Sequence, residues 1–388
     1  MLNGNLISAI IFYAIIILVI ILNRKKFEVY AKIVALYRTK MGIRFINRIA
    51  KTAPRFFRGL AYAGVAVGFI GMVFIVYTLI VNLINLITIP GTPSAIALVI
   101  PGVKIPGASI FVPFWYGIIS IFIVVLVHEF SHGVVARAHG LKIKNTGVGM
   151  FAIFPIAFVE PDERILKKQK RGTQLSVFAA GPFSNILLGI IVILVSVFLV
   201  APWAISLVDF EGVEVKELKA GFPAELSGLE PGDLIVAVNG VATPYVSNFT
   251  DMLDKAGVGE EVVISTAERD YILTTVASPE NASKAHIGIF VSQHNVLKEE
   301  VVSMWGDKLP WGAFYLLQFL QWLFILNLGI GLANLLPLGP VDGGRMLLAG
   351  LTRFFKKETA MFLWKYVSLL VLLLLILNFV YPYIRGLL

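Results

Sequence analysis

Three side chains that can bind metal or move protons stand within one short run of the chain, HEFSH, whose neighbours are apolar. They are His128, Glu129 and His132. Histidines four residues apart share one face of a helix, so both can reach the same metal ion. The glutamate beside them is placed to hold and deprotonate a water molecule that the metal activates. This spacing predicts metal-assisted hydrolysis.

A purely structural interpretation of these residues is less favourable. A single histidine in a helix is commonly a satisfied core residue, but a carboxylate inside a membrane span costs roughly 2.5–3.5 kcal/mol on insertion scales. Such groups are therefore rare unless they are paired or functional. The chain has no cysteine, which excludes thiolate zinc sites, iron–sulfur clusters, disulfides and a cysteine nucleophile. Metal ligands must then be histidines and carboxylates, and two histidines with one carboxylate suit zinc best, with iron, cobalt and manganese as the alternatives.

A catalytic zinc usually has three protein ligands and one position for water, so a third ligand is expected elsewhere. The metzincin spacing would require a histidine at position 138, where the chain has Ala138, and His139 is one residue out of register. Three acidic residues lie nearer to the motif but follow prolines, as is typical of a loop. They are Glu160, Asp162 and Glu163.

Asp342 is the better candidate for the third ligand. It lies in the run NLLPLGPVDGGR, at the end of a later apolar stretch that returns to the side of the membrane where HEFSH is expected. The alternative is that Asp342 caps a short helix that begins near Gly343, a common use of aspartate before glycines.

The composition indicates a membrane protein. Apolar residues make up 57% of the 388 residues and charged residues only 15%, and the mean hydropathy is +0.84. The first apolar stretch lacks a basic start and a small-residue cleavage site, so it is interpreted as a retained anchor. Six stretches are long enough to cross a bilayer as helices: 5–22, 59–88, 112–136, 174–202, 310–336 and 359–384.

The basic residues are distributed unevenly among the connections, which predicts an orientation. Segments 23–58, 137–173 and 343–358 carry eleven, eight and four Lys and Arg, so the positive-inside rule places them in the cytoplasm. Both termini and residues 205–309 then lie outside. The net charge of +9 reflects this pattern, and nucleic acid is not an expected partner. The expected location is the cell membrane, in contact with the lipid bilayer.

Residues 205–300 differ from the rest of the chain, with sixteen acidic against six basic residues. Short alternating strands are predicted at Val213–Leu218, Leu234–Val238, Val262–Ser265 and Ile287–Val291, with a helix near 247–256. The run GFPAELSGLEPGDLIVAVNG resembles PDZ domains of bacterial-type membrane proteases, and an unrelated small β-domain is the alternative. The resemblance implies that extended peptides add to a strand edge, with His286–Ile289 as the carboxylate loop.

The combination of HEFSH, an N-x-x-P-x-x-x-x-D-G segment and a PDZ-like insert resembles the site-2 protease family of intramembrane metalloproteases over roughly residues 110–350. The resemblance implies that His128, His132 and Asp342 bind Zn²⁺ and that Glu129 is catalytic. The departure from the family's pattern is Val341, where leucine is more usual.

The same resemblance places two asparagines near the active site, possible contacts for substrate. They are Asn185, in the run AGPFSNI, and Asn334, before the Pro/Gly-broken segment. By residue type alone, both are equally explained by hydrogen bonds between helices. The apolar, proline-containing segment Gly147–Glu163 is expected to form a re-entrant β-hairpin or a simple interfacial loop.

The expected fold is thus a polytopic α-helical membrane protein of about six transmembrane helices with an inserted, small, β-rich PDZ-like domain. The expected divisions are an anchor and basic segment (1–58), a first membrane part with HEFSH (59–205), the PDZ-like domain (206–300) and a second membrane part with the DG motif (301–388). Residues 1–58 have no secure family counterpart.

The expected function is regulated intramembrane proteolysis: hydrolysis of peptide bonds in or near transmembrane segments of single-span membrane proteins, with the PDZ-like domain outside screening substrates and the active site towards the cytoplasm. The main alternative is a metal transporter or a peptide-binding membrane scaffold. No internal repeat favours a transporter, and a scaffold does not need Glu129. A prenyl-protein-processing protease would use a downstream glutamate as ligand and gives no reason for the insert. No particular substrate or oligomeric state is predicted.

Overall fold

The computed structural model describes residues 4–30, 34–89, 92–96, 99–104, 110–151, 154–279 and 281–385. The chain divides into two compact units. The first comprises Met1–Ser196 and Gln318–Leu388, and the second comprises Val197–Leu317. Long apolar helices dominate the first unit, whereas short strands dominate the second.

The helices include both membrane-length segments and short connecting turns. In chain order they are α1 (Gly4–Leu22), α2 (Ile43–Thr52), α3 (Pro54–Thr88), α4 (Phe114–Ala138), α5 (Glu163–Leu166), α6 (Arg171–Val195), α7 (Ala201–Ser206), α8 (Pro223–Leu226), α9 (Val246–Lys255), α10 (Glu299–Trp305), α11 (Trp311–Asn334), α12 (Asp342–Phe354) and α13 (Lys357–Arg385). A π-helical turn, Ser196–Val200, joins α6 to α7.

Within the described residues, six helical segments are long and apolar enough to cross a membrane, as the sequence predicts. They are Gly4–Leu22, Pro54–Thr88, Phe114–Ala138, Arg171–Ser206, Trp311–Asn334 and Lys357–Ile384. In the first unit, α6 packs against α3, α4 and α12. Small residues permit this close packing: a Cβ at Gly64 of α3 would lie 2.9 Å from the ring of Phe183 on α6.

The first unit also contains a four-stranded antiparallel sheet in the order β1-β2-β3-β4. Its strands are β1 (Glu28–Tyr30), β2 (Val34–Thr39), β3 (Ile143–Phe151) and β4 (Phe154–Pro161). The expected hairpin in segment 147–163 is therefore present as β3 and β4, of which residues 152 and 153 lie outside the described part. The pairing of β1 and β2 with this hairpin was not predicted.

Glycines in β3 explain how β2 approaches it so closely. A Cβ at Gly147 would collide with the carbonyl oxygen of Tyr37, and a Cβ at Gly149 would collide with that of Ala35. Thr146 adds a side-chain hydrogen bond of 2.6 Å to the carbonyl oxygen of Met41, just beyond β2. The basic segment before α3 is thus part of the same sheet as the hairpin.

The second unit contains a sheet in the order β12-β5-β6-β8-β9, with β7 paired to β6. Its strands are β5 (Val208–Leu218), β6 (Leu234–Val238), β7 (Val241–Ala242), β8 (Glu261–Thr266), β9 (Asp270–Thr274), β10 (Val276–Ala277), β11 (Ala285–His286) and β12 (Ile289–Leu297). Alternate residues of β8 and β9 are buried and join Val213, Ile235 and Phe249 in one core.

This architecture confirms the predicted class, a polytopic helical protein with a PDZ-like β-rich unit. The predicted helix near 247–256 is α9, and the predicted strands correspond to β5, β6, β8 and β12. The last of these begins at Ile289 rather than at 287 and extends to Leu297, because Gly288, with φ of 76°, interrupts the extended backbone.

Candidate active site

Helix α4 carries the three residues of the HEFSH motif. Its apolar sequence contains no proline, so the helix continues unbroken from Phe114 to Ala138. His128 and His132 are one turn apart and their rings meet edge to face, with centroids 4.8 Å apart. Their Nε2 atoms lie 3.2 Å from each other. The two histidines therefore present one nitrogen each to a common point.

Asp342 reaches the same point from the start of α12. Its Oδ2 lies 3.0 Å from Nε2 of His128 and 3.1 Å from Nε2 of His132. The residue is the first of α12 and Val341 precedes it as the cap, with no side-chain capping hydrogen bond. The carboxylate thus faces the histidines instead of capping the helix.

The two glycines after Asp342 allow this geometry, because the helix start lies directly against the preceding Pro/Gly-broken loop. A Cβ at Gly343 would collide with the carbonyl oxygen of Leu335, and one at Gly344 would collide with that of Leu338. The carbonyl oxygen of Gly344 also accepts a hydrogen bond of 2.9 Å from Nε1 of Trp364 on α13. The D-G-G sequence is therefore required by backbone packing as well as by the carboxylate.

The three ligand atoms fit a zinc ion by type and by spacing. In a tetrahedral site with Zn–N and Zn–O distances of roughly 2.0–2.1 Å, ligand atoms lie about 3.3 Å apart. The observed separations of 3.0–3.2 Å are close to this value. The three side chains are only 9–12% exposed. Within the described ranges, this is the only group of three His, Cys or acidic residues that could hold a metal.

The other candidates for a third ligand have different partners. Nε2 of His139 lies 2.9 Å from Oγ of Ser176. Glu160 accepts a hydrogen bond of 3.0 Å from Nδ2 of Asn145, and Asp162 caps α5. Hydrogen bonds within α5 and an ion pair with Lys144 lower the pKa of Asp162 against the opposing effect of desolvation. These groups lie outside the ligand cluster.

A layer of hydrogen bonds orients the two imidazoles. His132 donates Nδ1–H to the carbonyl oxygen of Val177 on α6, across 2.7 Å. Nδ1 of His128 lies 3.2 Å from Nδ2 of Asn185. Because Nε2 of His128 faces the metal point, Nδ1 carries the proton and needs an acceptor. The side-chain oxygen of Asn185 is buried without a partner among the described residues. A 180° rotation of the side-chain amide exchanges Oδ1 and Nδ2 and so places the oxygen, an acceptor, opposite Nδ1–H of His128.

Asn327 on α11 connects this layer to another helix, and sequence reasoning missed it. Its Nδ2 donates a short hydrogen bond to the backbone carbonyl oxygen of Asn185. Both asparagines are fully buried. Gly189, one turn after Asn185, leaves room for this amide, since a Cβ there would lie 3.1 Å from Nδ2 of Asn327. In the sequence, Asn327 is marked only as a polar residue in an apolar span.

Glu129 lines the same cavity as the ligand cluster and contacts the sheet. Its Oε2 accepts a hydrogen bond of 3.0 Å from the backbone N–H of Val159 on β4. This strand is paired on its other side with β3, with Thr146 opposite Val159. The carboxylate is therefore held by the free edge of a sheet.

Asn334 lies at the end of α11 and donates a hydrogen bond of 3.0 Å to the carbonyl oxygen of Ile330 in its own helix. It lines the same cavity as the metal ligands. Asn185 does not line that cavity, and its contact with His128 favours orientation of a ligand over contact with substrate. The two asparagines that the resemblance grouped together thus have different surroundings.

A cavity of about 1010 Å³ opens onto the cluster. Its wall includes the four residues of the predicted catalytic group, the segment Phe158–Pro161 of β4 and two residues of β2, Leu36 and Arg38. Ligand pockets are commonly about 300–1,000 Å³, so this one admits more than a single side chain. The contribution of β2 was not foreseen, because it depends on the pairing of distant strands.

The chain is similar in sequence to known proteins over much of its length. The model of peptidase family M50 matches residues 116–377. A protein of Methanocaldococcus jannaschii is 24% identical over 346 residues, covering 88% of this chain and 85% of that protein. A Streptococcus pyogenes protein provisionally named zinc metalloprotease is 25% identical over 217 residues, covering 46% of this chain and 50% of that protein.

Two further similarities concern parts of the chain. The membrane-bound transcription factor site-2 protease homolog of Arabidopsis thaliana is 28% identical over 144 residues, 36% of this chain and 28% of that protein. The PDZ domain of the SdrC-like protein of Listeria monocytogenes matches 21% of this chain and 88% of that structure, at 26% identity with a TM-score of 0.20.

Two histidines and an aspartate around one point, with a glutamate beside them on a membrane-length helix, define a membrane zinc metalloprotease. The chain belongs to peptidase family M50, the family of the site-2 proteases. Its cofactor is Zn²⁺, which the cluster of His128, His132 and Asp342 is able to bind.

Proposed function

We propose that this protein is an intramembrane-cleaving endopeptidase that hydrolyses peptide bonds in or beside the transmembrane segments of single-span membrane proteins. The observation that carries the proposal is the position of His128, Glu129 and His132 on α4, a helix that can span a membrane. Titratable groups on such a helix act where the substrate reaches membrane depth. Regulated intramembrane proteolysis is the corresponding biological process.

Each residue of the site has a distinct role in this mechanism. His128, His132 and Asp342 hold the metal through Nε2, Nε2 and the carboxylate. When bound, zinc polarises the scissile carbonyl and lowers the pKa of the attacking water to about 7. Glu129 takes the proton from this water and passes it to the leaving amine. The N–H of Val159 keeps the Glu129 carboxylate in place between these two transfers.

The substrate must present an extended segment to the site. The peptide groups of a transmembrane helix are hydrogen-bonded within the helix, so the helix has to unwind locally before a peptide bond can be attacked. Strand β4 is an edge strand whose residues 158–161 line the cavity, and extended peptides add to such edges. Helix-weakening residues in the substrate are therefore expected to matter more than a fixed side-chain motif.

The PDZ-like unit is proposed to select substrates. Strand β12 is at the edge of its sheet and is paired with β5 alone. It begins directly after Gly288, in the segment His286–Ile289 that is the candidate carboxylate loop. A peptide that adds to β12 would place its C-terminal carboxylate near this turn, which favours substrates already shortened by another protease. Deletion of residues 211–293 should abolish discrimination between full-length and trimmed substrates; unchanged discrimination would disprove the selection role.

The distribution of basic residues supports a multi-pass protein of the cell membrane, with the catalytic groups towards the cytoplasm and residues 206–300 outside. The chain has no cysteine, so single cysteines introduced at Lys168 and at Lys255 report the two sides without background. A membrane-impermeant thiol reagent applied to intact cells should label only the variant at 255. Labelling of the variant at 168 alone would reverse the orientation.

The decisive experiment compares wild type with Glu129→Gln on a panel of single-span substrates, with bound zinc quantified in each protein. Glutamine keeps the size of the side chain and cannot take up a proton. Wild type should cleave, and the variant should retain zinc without cleaving. If neither protein cleaves any substrate although both hold zinc, the transporter or scaffold alternative is favoured instead.

A further inference from the structure

Helix α2 has one face in the protein interior and one face outside it. Ile46 and Ala50 are buried and pack in one cluster with Val134 of α4. Arg44, Arg48 and Lys51 are exposed on the opposite side. A ten-residue helix of this kind is too short and too polar to span a bilayer, and its basic and apolar faces are typical of an interfacial helix.

Among the residues that the structure describes, the basic side chains of this region have no acidic partner in an ion pair. Residues 40–58 contain six Lys and Arg and no Asp or Glu, and the chain has no acidic residue at all from 29 to 128. None of Arg44, Arg48, Lys51 and Arg55 forms an ion pair with a residue that the structure describes. Their charge is available to an external anion.

Apolar side chains are exposed among these cations. Phe45 is 57% exposed, Phe56 is 61% exposed and Met41 is 80% exposed. Basic residues interleaved with aromatic ones suit the boundary between lipid headgroups and acyl chains, where the ring inserts and the cation meets the headgroup. A soluble anion would leave these apolar side chains in water.

Chain connectivity places α2 directly before a membrane-length helix. Ala53, with φ of −148° and ψ of 64°, separates α2 from Pro54, the first residue of the membrane-length helix α3. The helix α2 therefore ends one residue before a span begins. Its cations therefore lie close to the first turn of a helix that is long and apolar enough to cross a membrane.

We propose that α2, through Arg44, Arg48, Lys51 and Phe45, together with Phe56 at the start of α3, binds the headgroups of anionic phospholipids. The buried face of α2 links this surface to the active site. A Cβ at Gly133, one residue after the ligand His132, would lie 3.1 Å from Cδ1 of Ile46 and 2.9 Å from Cγ1 of Val159. Val159 in turn donates its N–H to Glu129. Anionic lipid that fixes α2 thereby fixes the strand that holds the catalytic carboxylate.

Binding is measured on the full-length protein, independently of proteolysis. Thr52 is exposed at the end of α2, so Thr52→Cys supplies a single site for an environment-sensitive fluorophore. The labelled protein is placed in nanodiscs of phosphatidylcholine with increasing fractions of phosphatidylglycerol. We expect the emission to shift to shorter wavelength as phosphatidylglycerol increases. Inorganic phosphate added to phosphatidylcholine discs should cause no shift, because it cannot accommodate the exposed rings.

The variant Arg44→Gln/Arg48→Gln/Lys51→Gln removes the charge and keeps the helix. Each cation near an anionic surface contributes about a fivefold change in affinity, so the triple substitution should weaken the response by up to roughly a hundredfold. The matched control Lys219→Gln/Lys255→Gln/Lys284→Gln removes the same charge from the β-rich unit and should respond like wild type. An equal response of wild type and the α2 variant would overturn the proposal, as would a shift with phosphate alone.

The coupling to catalysis rests on the proposed proteolytic function and has its own measurement. Cleavage by wild type should increase several-fold with phosphatidylglycerol, and cleavage by the α2 variant should not. A lipid-dependent fluorescence shift without any cleavage would leave lipid binding intact and would count against the proteolytic function. A shift accompanied by lipid-independent cleavage would refute the coupling alone.

Discussion

The backbone N–H of Val159 donates a hydrogen bond of 3.0 Å to Oε2 of Glu129. This contact joins an edge strand to the carboxylate that we propose as the base. Val159 belongs to the alternate positions of β4 whose amides face away from β3, and two of these positions, 155 and 161, are already prolines. Proline is tolerated at such edge positions because no ladder hydrogen bond is lost.

Replacement of Val159 by proline should therefore remove the hydrogen bond to Glu129 while the sheet persists. Hydrogen bonds to charged groups contribute about 1.5–3 kcal/mol, so kcat is expected to fall about tenfold or more, with zinc content unchanged. The matched control is Ala157→Pro, two residues earlier on the same edge, which should keep kcat. Equal kcat for Val159→Pro and wild type would show that this amide does not support catalysis.

The orientation of the Asn185 amide can be tested with two substitutions. Asn185→Asp keeps an oxygen acceptor for Nδ1–H of His128, whereas Asn185→Leu removes it. Loss of such a partner commonly weakens metal binding by about 10–100-fold. Zinc affinity, measured by competition with a chelating dye, should fall in the leucine variant and persist in the aspartate variant. The opposite order would mean that the amide nitrogen faces the ring.

Asn327 should influence zinc binding through Asn185, without touching the metal. Asn327→Leu removes the donor to the Asn185 carbonyl oxygen and should weaken zinc binding about tenfold, at the lower end of such effects. Asn334→Leu is the matched control on the same helix, because among the described residues the Asn334 side chain bonds only to its own turn. It should leave zinc affinity unchanged, and a rise in its KM would indicate contact with substrate. Equal zinc affinities for the Asn327 variant and wild type would contradict the role of Asn327.

Gly181 should tolerate no side chain. A Cβ at this position would lie 2.5 Å from Nε2 of His128 and would also collide with Nε2 of His132. Gly181→Ala is therefore expected to lower zinc affinity about tenfold or more. Gly329→Ala is the control within the same unit, since nothing lies within 4 Å of the added methyl group. Full zinc retention by Gly181→Ala would show that α4 and α6 can separate at this point.

The sequence predicted those parts of the structure that depend on the helical repeat or on hydropathy. The spacing of His128 and His132 follows from the helical repeat, and the six spans follow from long apolar runs. Asp342 was found because a Pro/Gly-broken segment and the distribution of basic residues placed it on the same side as the histidines.

The parts that were missed depend on contacts with no local signal. The amide of Val159 is a backbone donor, which any residue except proline would supply. Asn327 is one polar residue in a span, and this pattern equally indicates a simple contact between helices. Strand β2 is short and basic, and its pairing with β3 is visible only in retrospect, in the alternation of Gly147 and Gly149.

The pairing of β2 with β3 also affects how far the chain can be shortened without exposing a sheet edge. The family match begins at residue 116, yet β2 lies before it and covers the outer edge of β3 from Thr146 to Phe151. A protein trimmed to the matched region would expose that edge, with its unpaired amides and carbonyls, to other copies of itself. We therefore expect the basic segment before α3 to protect the sheet against self-association. The short strand β1, with Glu28 at its start, ends the sheet on that side.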